Sequence, residues 1–163
     1  MVKRVFHTKE IDCLIGILNE KREDCPVVTV NGCFDILTPG HLHILRQAWT
    51  KSFLNKGVVV VGLNSDKSIR KLKGDNRPIL NEEERASILL LTYFVDFVYI
   101  YDEETSEDFV RMIKPAFHFN DSSYGAFCIE SNVLKEFGGE LILVDKIDPH
   151  LSTTEIINRI LNK

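Results

Sequence analysis

Uninterrupted apolar stretches alternate along this chain with stretches in which apolar positions recur every three or four residues. Ile11, Leu14, Ile15 and Leu18 mark a helical period over 8–22. The β-branched run Val27, Val28, Thr29, Val30 stops at Asn31-Gly32, predicting a buried strand over 26–31. Leu42, Ile44, Leu45 and Ala48 then predict a helix over 40–54. VVVVGL (58–63) is apolar throughout, as expected of a central parallel strand covered on both faces. A short helix over 65–71 and a polar loop, KGDNRP, follow. Asn81 and Glu84 have capping-box spacing at the head of a helix reaching about 92. Strands at 95–101, 116–119 and 141–144 alternate with helices at 105–113 and 129–137. Ser152 and Glu155 repeat the capping-box spacing before a terminal helix.

Strands that alternate with helices form a parallel sheet with right-handed crossovers. The expected architecture is α/β, a Rossmann-like doubly wound sheet in one domain spanning 1–163, with 1–24 as an N-terminal helical extension. Ligands in such sheets sit beyond the carboxyl ends of the strands. Segments ending at Asn31, Asn64 and Asn120, and the one leading to Ser152, therefore converge on one crevice.

The 163 residues carry a formal net charge of −4, which argues against a general nucleic-acid binder. No apolar run is long enough to span a bilayer, and MVKRVFHTKEID has no apolar signal-peptide region. Cys13, Cys25, Cys33 and Cys128 show no C-x-x-C pairing, so reduced thiols in a cytoplasmic protein are expected and metal ligation by cysteine is not.

The most informative stretch is VTVNGCFDILTPGHLHIL (28–45): a strand, a glycine turn and a helix opening at Gly40-His41. Free N–H groups and the positive end of a helix dipole meet at such a turn, which suits phosphate. The spacing is neither GxGxxG nor GxxxxGK[ST]. Gly32, Phe34, Asp35, Thr38, Gly40 and His41 instead resemble the signature G-x-F-D-x-x-[HT]-x-G-H of cytidylyltransferase-like nucleotidyltransferases. NSDKSIRKLKGDNRPILNEEER, VDFVYIYDEET, GGELILV and LSTTEII are similar, in the same order, to the adenylyltransferase domain of ADP-heptose synthase.

The resemblance implies transfer of a nucleoside monophosphate, AMP from ATP by preference, to a phosphorylated acceptor such as a sugar phosphate. Residue chemistry suits that reaction. A phosphate monoester is already largely ionised at neutral pH, so the acceptor needs no general base. The enzyme must align the reactants and stabilise developing charge. His41 is the expected transition-state donor, against a plain surface histidine at a helix start. His43, two positions on, is expected to turn away from it as a structural or solvent-facing residue. Thr38 stands where the heptose and glycerol-phosphate enzymes carry a first histidine, and it either donates to phosphate or shapes the turn before Pro39. On the first reading, position 38 faces the phosphates and would accept histidine.

Lys67, Arg70, Lys71, Lys73 and Arg77 place five cations in eleven residues. Lys71 and Lys73, read as loop residues, are expected over the β- and γ-phosphates, and Lys67 on a solvated helix face. Asn31, Gly32, Cys33, Phe34, Asp35, Gly40, Asn64, Asp66, Ser152, Thr153 and Thr154 complete the expected nucleotide site. Within it Phe34 underlies the nucleotide and Asp35 orders the loop. Asp66 could instead cap the short helix, and Ser152 could cap its helix while also binding phosphate or ribose. Arg85 is expected either near the nucleotide or a partner subunit, or in a local pair. Magnesium is implied with the triphosphate, held by few protein ligands, none of which can be named.

HFNDSSY (118–124) falls where the heptose enzymes share a lysine-glycine-aspartate-tyrosine pattern, and only Asp121 and Tyr124 have counterparts, as candidate acceptor-binding residues. A changed acceptor is expected. The alternatives are a cytidylyltransferase using CTP and a polyol phosphate such as glycerol 3-phosphate, or a nucleotide-binding protein of attenuated activity. DKIDPHL lacks the arginine that precedes the closing serine in the cytidylyltransferases, which favours ATP. A homo-oligomer, by preference a dimer, is expected, with no nucleic-acid or membrane partner.

Overall fold

The computed structural model describes residues 4–22, 25–148 and 152–162. Six strands form one sheet: β1 (Val5–His7), β2 (Val27–Gly32), β3 (Val58–Asn64), β4 (Phe97–Tyr101), β5 (Phe117–Asp121) and β6 (Glu140–Val144). Every pairing is parallel and the order is β1-β4-β3-β2-β5-β6. The helices are α1 (Ile11–Arg22), α2 (Pro39–Leu54), α3 (Asp66–Lys73), α4 (Glu82–Leu91), α5 (Glu107–Ile113), α6 (Glu130–Lys135) and α7 (Thr153–Leu161).

The sheet is covered on both faces, and the alternation of side chains along each strand sorts them. Val58 and Val60 of β3 join Tyr99 and Tyr101 of β4 in a core with Leu14 and Leu18 of α1, Phe109 and Ile113 of α5, and Leu134 of α6. Val59, Val61 and Leu63, with Val98 and Ile100, pack on the other face against Leu45 and Ala48 of α2 and Ala86 and Leu89 of α4. This is the doubly wound arrangement that continuous apolar strands require. Gly62 is dictated by packing: a Cβ there would meet the Phe109 ring at 2.6 Å. Phe109 lies nearly parallel to Tyr99 and Tyr101, with ring centroids 5.9 Å away in each case.

The amino-terminal segment is not helical throughout. Val5–His7 pairs with Val98–Ile100 as an edge strand, and a 3-10 turn (Thr8–Glu10) leads into α1. Three residues are too few to establish a period of two, so helical spacing dominates this part of the sequence. Residues 1–3 and 23–24 of the expected extension lie outside the described residues.

α3 runs to Lys73 and takes in Lys71 and Lys73, which the sequence reading assigned to a loop. Ser65 caps it by accepting from the Ser68 N–H at 3.1 Å, so Asp66 is not the cap.

Candidate active site

The carboxyl ends of β2, β3, β4 and β5 open on a crevice of about 770 Å³, a size suited to small ligands. It lies where β2 separates β3 from β5, the point at which the chain switches direction across the sheet.

Asn31, Gly32, Cys33, Phe34 and Asp35 leave β2 and form one wall, with Gly40 and His41 at the start of α2. Phe34 has φ of 45° and is 4% exposed, its ring against Gly32 on one side and His41 on the other. A Cβ on Gly32 would stand 3.1 Å from that ring, tighter than an ordinary contact. Phe34 supports the loop from beneath.

Thr38 is the N-cap of α2. Its hydroxyl accepts from the His41 backbone N–H at 3.3 Å, and its own N–H donates to His41 Nδ1 at 3.1 Å. Histidine here takes the place of glutamate in a reciprocal capping box. With Nδ1 accepting, the neutral imidazole carries its proton on Nε2. Burial lowers the His41 pKa, the nearby Lys73 charge lowers it further, and the Ile36 carbonyl opposes both. His41 is thus a neutral N–H donor near pH 7. Thr38 is only 1% exposed. Its hydroxyl is engaged with His41, and its place in the crevice wall is that of a cap. His43 also reaches the wall, contrary to the expectation that it turns away, because the crevice wraps around the first turn of α2.

Two buried groups fix the floor. Asp35, 1% exposed, accepts from Arg77 Nε at 2.5 Å and from the Ile79 and Leu80 N–H groups at 2.7 and 3.0 Å. It therefore orders the 77–80 loop against the β2 loop. Arg85, also 1% exposed, donates to the carbonyls of Cys33 at 2.7 Å, Asn64 at 2.8 Å and Leu80 at 3.0 Å, and to Asp66 at 2.7 Å. The expected local pair of Arg85 within its own helix is not formed; its partners lie in the β2 loop, at the end of β3, at the start of α3 and in the 77–80 loop. Asp66 is held by Arg85 and does not line the crevice. Asn64 does, its amide donating to Ser68 Oγ at 3.1 Å.

The lysines divide. Lys73 lines the crevice, whereas Lys71 lies off it, 3.5 Å from Glu104. Lys67 pairs with Asp102 at 3.3 Å on the surface. Arg77 also faces the crevice, with Nη2 buried and unpartnered. Across the opening, Ser152 caps α7 by accepting from the Glu155 N–H at 3.1 Å, and Thr153 donates to the Ile36 carbonyl at 3.2 Å. Ser152, Thr153 and Thr154 all line the crevice, so the N-terminus of α7 faces it together with that of α2. Asp121 and Tyr124 line its far side, Asp121 accepting from Ser123 N–H at 2.8 Å and lying 3.8 Å from Lys146.

Sequence reasoning missed Arg77, Ser106, Asn120 and Glu130, all of which line the crevice. Arg77 was visible as one of five cations, and Asn120 as a strand end. Glu130 carried no signal, since it stands in an ordinary amphipathic helix. Among the described residues no three His, Cys, Asp or Glu side chains are grouped to hold a metal ion.

Strand, loop and helix N-terminus meet at the switch point of a doubly wound sheet, and residues 29–159 match the cytidylyltransferase-like family. The chain belongs to that family. Over 155 residues, 94% of its length, it is 41% identical to the bifunctional protein HldE of Geobacter metallireducens, and over 158 residues 40% identical to HldE of Campylobacter fetus. It spans about a third of each of those proteins, 31% and 33%. Among solved structures, a lipopolysaccharide core biosynthesis protein of Thermoplasma volcanium is 25% identical with a TM-score of 0.56, over 76% of this chain and 99% of that one. Pantothenate synthetase of Thermus thermophilus shares the fold with a TM-score of 0.66 at 14% identity, over 95% of this chain and 67% of that one.

Proposed function

We propose that the protein transfers AMP from ATP to a phosphorylated sugar and releases pyrophosphate. The observation that carries this reading is the His41 imidazole, fixed by Thr38 at the N-terminus of α2 with Nδ1 as acceptor, in a crevice shared with Lys73 and the N-terminus of α7. In the reaction, an oxygen of the acceptor phosphate attacks the α-phosphorus, and the bond to the β-phosphate oxygen breaks in line. The acceptor arrives ionised, so no proton need be removed. His41 donates from Nε2 to phosphoryl oxygens as charge builds on them. The helix N-termini supply further donors and positive potential. Lys73 and Arg77 neutralise the departing pyrophosphate.

Magnesium accompanies the triphosphate and neutralises part of its charge. The preference for ATP rests on the absence of arginine from DKIDPHL, of which residues 149–151 lie outside the described set. Four free cysteines suit a reducing, cytoplasmic setting. No described helix is long and apolar enough to cross a membrane. A second copy of this chain is the partner we expect against Phe53, Leu54, Leu91 and Tyr93, which are exposed around the Trp49–Phe53 and Trp49–Phe94 contacts.

The test is a pyrophosphate-release screen of the four nucleoside triphosphates against sugar 1-phosphates and polyol phosphates. ATP with a sugar phosphate is the expected productive pair. Binding of nucleotide without pyrophosphate release across the panel would favour an attenuated, nucleotide-binding role.

A further inference from the structure

The crevice wall built by β5 and α6 spends its polar groups on itself. Glu130, 3% exposed, accepts from Ser106 Oγ, from Cys128 Sγ at 2.9 Å, from Asn120 Nδ2 at 3.4 Å and from its own backbone N–H. Asn120 Nδ2 also donates to Cys128 Sγ at 3.5 Å, and its Oδ1 accepts from the Asp121 N–H at 2.8 Å. Asp121 in turn accepts from the Ser123 N–H at 2.8 Å and lies 3.8 Å from Lys146. Groups already satisfied in this way gain little from a further hydroxyl.

Hydrocarbon stands in front of them. Tyr124, Ile129 and Ile147 all line the crevice and are 55%, 43% and 57% exposed. They come from two connections that leave the sheet side by side. β5 pairs with β6 in the register Asp121 to Val144, so the segment leading to α6 and the loop leading to α7 emerge together. Scattered exposed apolar residues are ordinary, but three large ones on one lip of a ligand-sized crevice form a contact surface. His41, Lys73 and Arg77, the groups suited to phosphate, line the same crevice from α2, α3 and the 77–80 loop.

We propose that the acceptor lies with its phosphate toward His41 and an apolar edge of its carbon skeleton against Tyr124, Ile129 and Ile147. The acceptor is then a sugar phosphate whose carbons facing this lip carry hydrogen or methyl in place of hydroxyl. Each methylene removed from water there adds about fourfold to affinity. A hydroxyl pressed against the same side chains loses its water without gaining a partner. This assignment rests on the transfer reaction proposed above.

The test is calorimetric titration of wild type and the double variant Ile129→Ser, Ile147→Ser with methyl phosphate, mannose 1-phosphate and cyclohexyl phosphate, a six-membered ring without hydroxyls. Each titration is run with and without saturating α,β-methylene-ATP and magnesium. Wild type should bind cyclohexyl phosphate roughly tenfold or more tighter than methyl phosphate, as two methylenes against the lip require. Mannose 1-phosphate should stay within about threefold of methyl phosphate. The double variant should bring the cyclohexyl-to-methyl ratio within about threefold while leaving affinity for methyl phosphate and the nucleotide analogue unchanged. Mannose 1-phosphate binding wild type as tightly as cyclohexyl phosphate overturns the inference, and so does a cyclohexyl preference that survives in the variant. Should the double variant melt far below wild type, Ile147→Ser alone, in the β6–α7 loop, must reduce the same ratio. Pyrophosphate release with a sugar phosphate, in an enzyme that shows no cyclohexyl preference, refutes this inference and leaves the transfer reading standing. Failure of the analogue to bind counts against the nucleotide site alone, because the probe ratio is also measured without it.

Discussion

Replacing Thr38 with valine separates a cap from a phosphate donor. Valine matches threonine in shape and removes only the hydroxyl. In the structure that hydroxyl accepts from the His41 backbone N–H at 3.3 Å and lies 3.2 Å from Nδ1. The Thr38 N–H that donates to Nδ1 belongs to the backbone and survives the change. Losing an N-cap hydroxyl costs about 1 kcal/mol, and in a domain of this size that lowers Tm by about 2–4 °C. Because the imidazole keeps its tautomer, kcat should fall less than about tenfold. Thr38→Ser, which retains the cap, should restore both. Thr38→His should lower Tm, since it removes the hydroxyl that caps α2, whereas kept or raised kcat would bear out the expectation that position 38 faces the phosphates. Tm by calorimetry and kcat by pyrophosphate release are the two readings. A loss of roughly 10²–10³ in kcat with Tm unchanged, the signature of a deleted transition-state donor, would show that the hydroxyl acts on substrate and would refute the assignment.

His41→Gln should reduce kcat by about 10²–10³ while nucleotide affinity stays within about tenfold. Since the His41 pKa is lowered, the rate should stay flat as pH falls from 8 to its ordinary value near 6.5, with any loss due to this group beginning below. Lys73→Ala should weaken ATP more than AMP in equilibrium binding, and Lys71→Ala, off the crevice and paired with Glu104, should leave both unchanged. Arg85→Met leaves three carbonyls and Asp66 without their donor, and chemical denaturation should show a loss of about 3–5 kcal/mol. His118, with its pKa depressed to about 4, binds a proton more readily unfolded than folded, so stability should fall as pH drops from about 6.5 toward 4; His118→Gln should flatten that slope in thermal melts.

Most of the fold was legible because its cores are built from unmixed signals. β3 is apolar from Val58 to Leu63 and β4 throughout, and Asn81 and Ser152 announce their helices. β1 was illegible because three residues cannot display a period and take their strand character from pairing with β4. Within the site, the β2 loop and the start of α2 could be read as a unit, because strand, turn and cap are contiguous. Long-range partners could not. Arg85 reaches Cys33 across 52 positions and Asn64 across 21, and a guanidinium in a charged helix looks like any solvated one. Lys71 and Lys73 were paired by proximity in sequence, whereas helical rotation sends them to different places.

β2 meets β3 on one side and β5 on the other, and this seam divides labour within the crevice. The β2 loop, α3 and α4 are bolted together by Asp35 and Arg85. The Glu130 wall hangs from β5 and α6, and none of those bolts reaches it. Its residues can therefore change one after another while the phosphate cradle keeps its shape. On the proposed transfer reaction, a lineage built on this sheet could try out new acceptors on this wall without relearning how to hold a nucleotide.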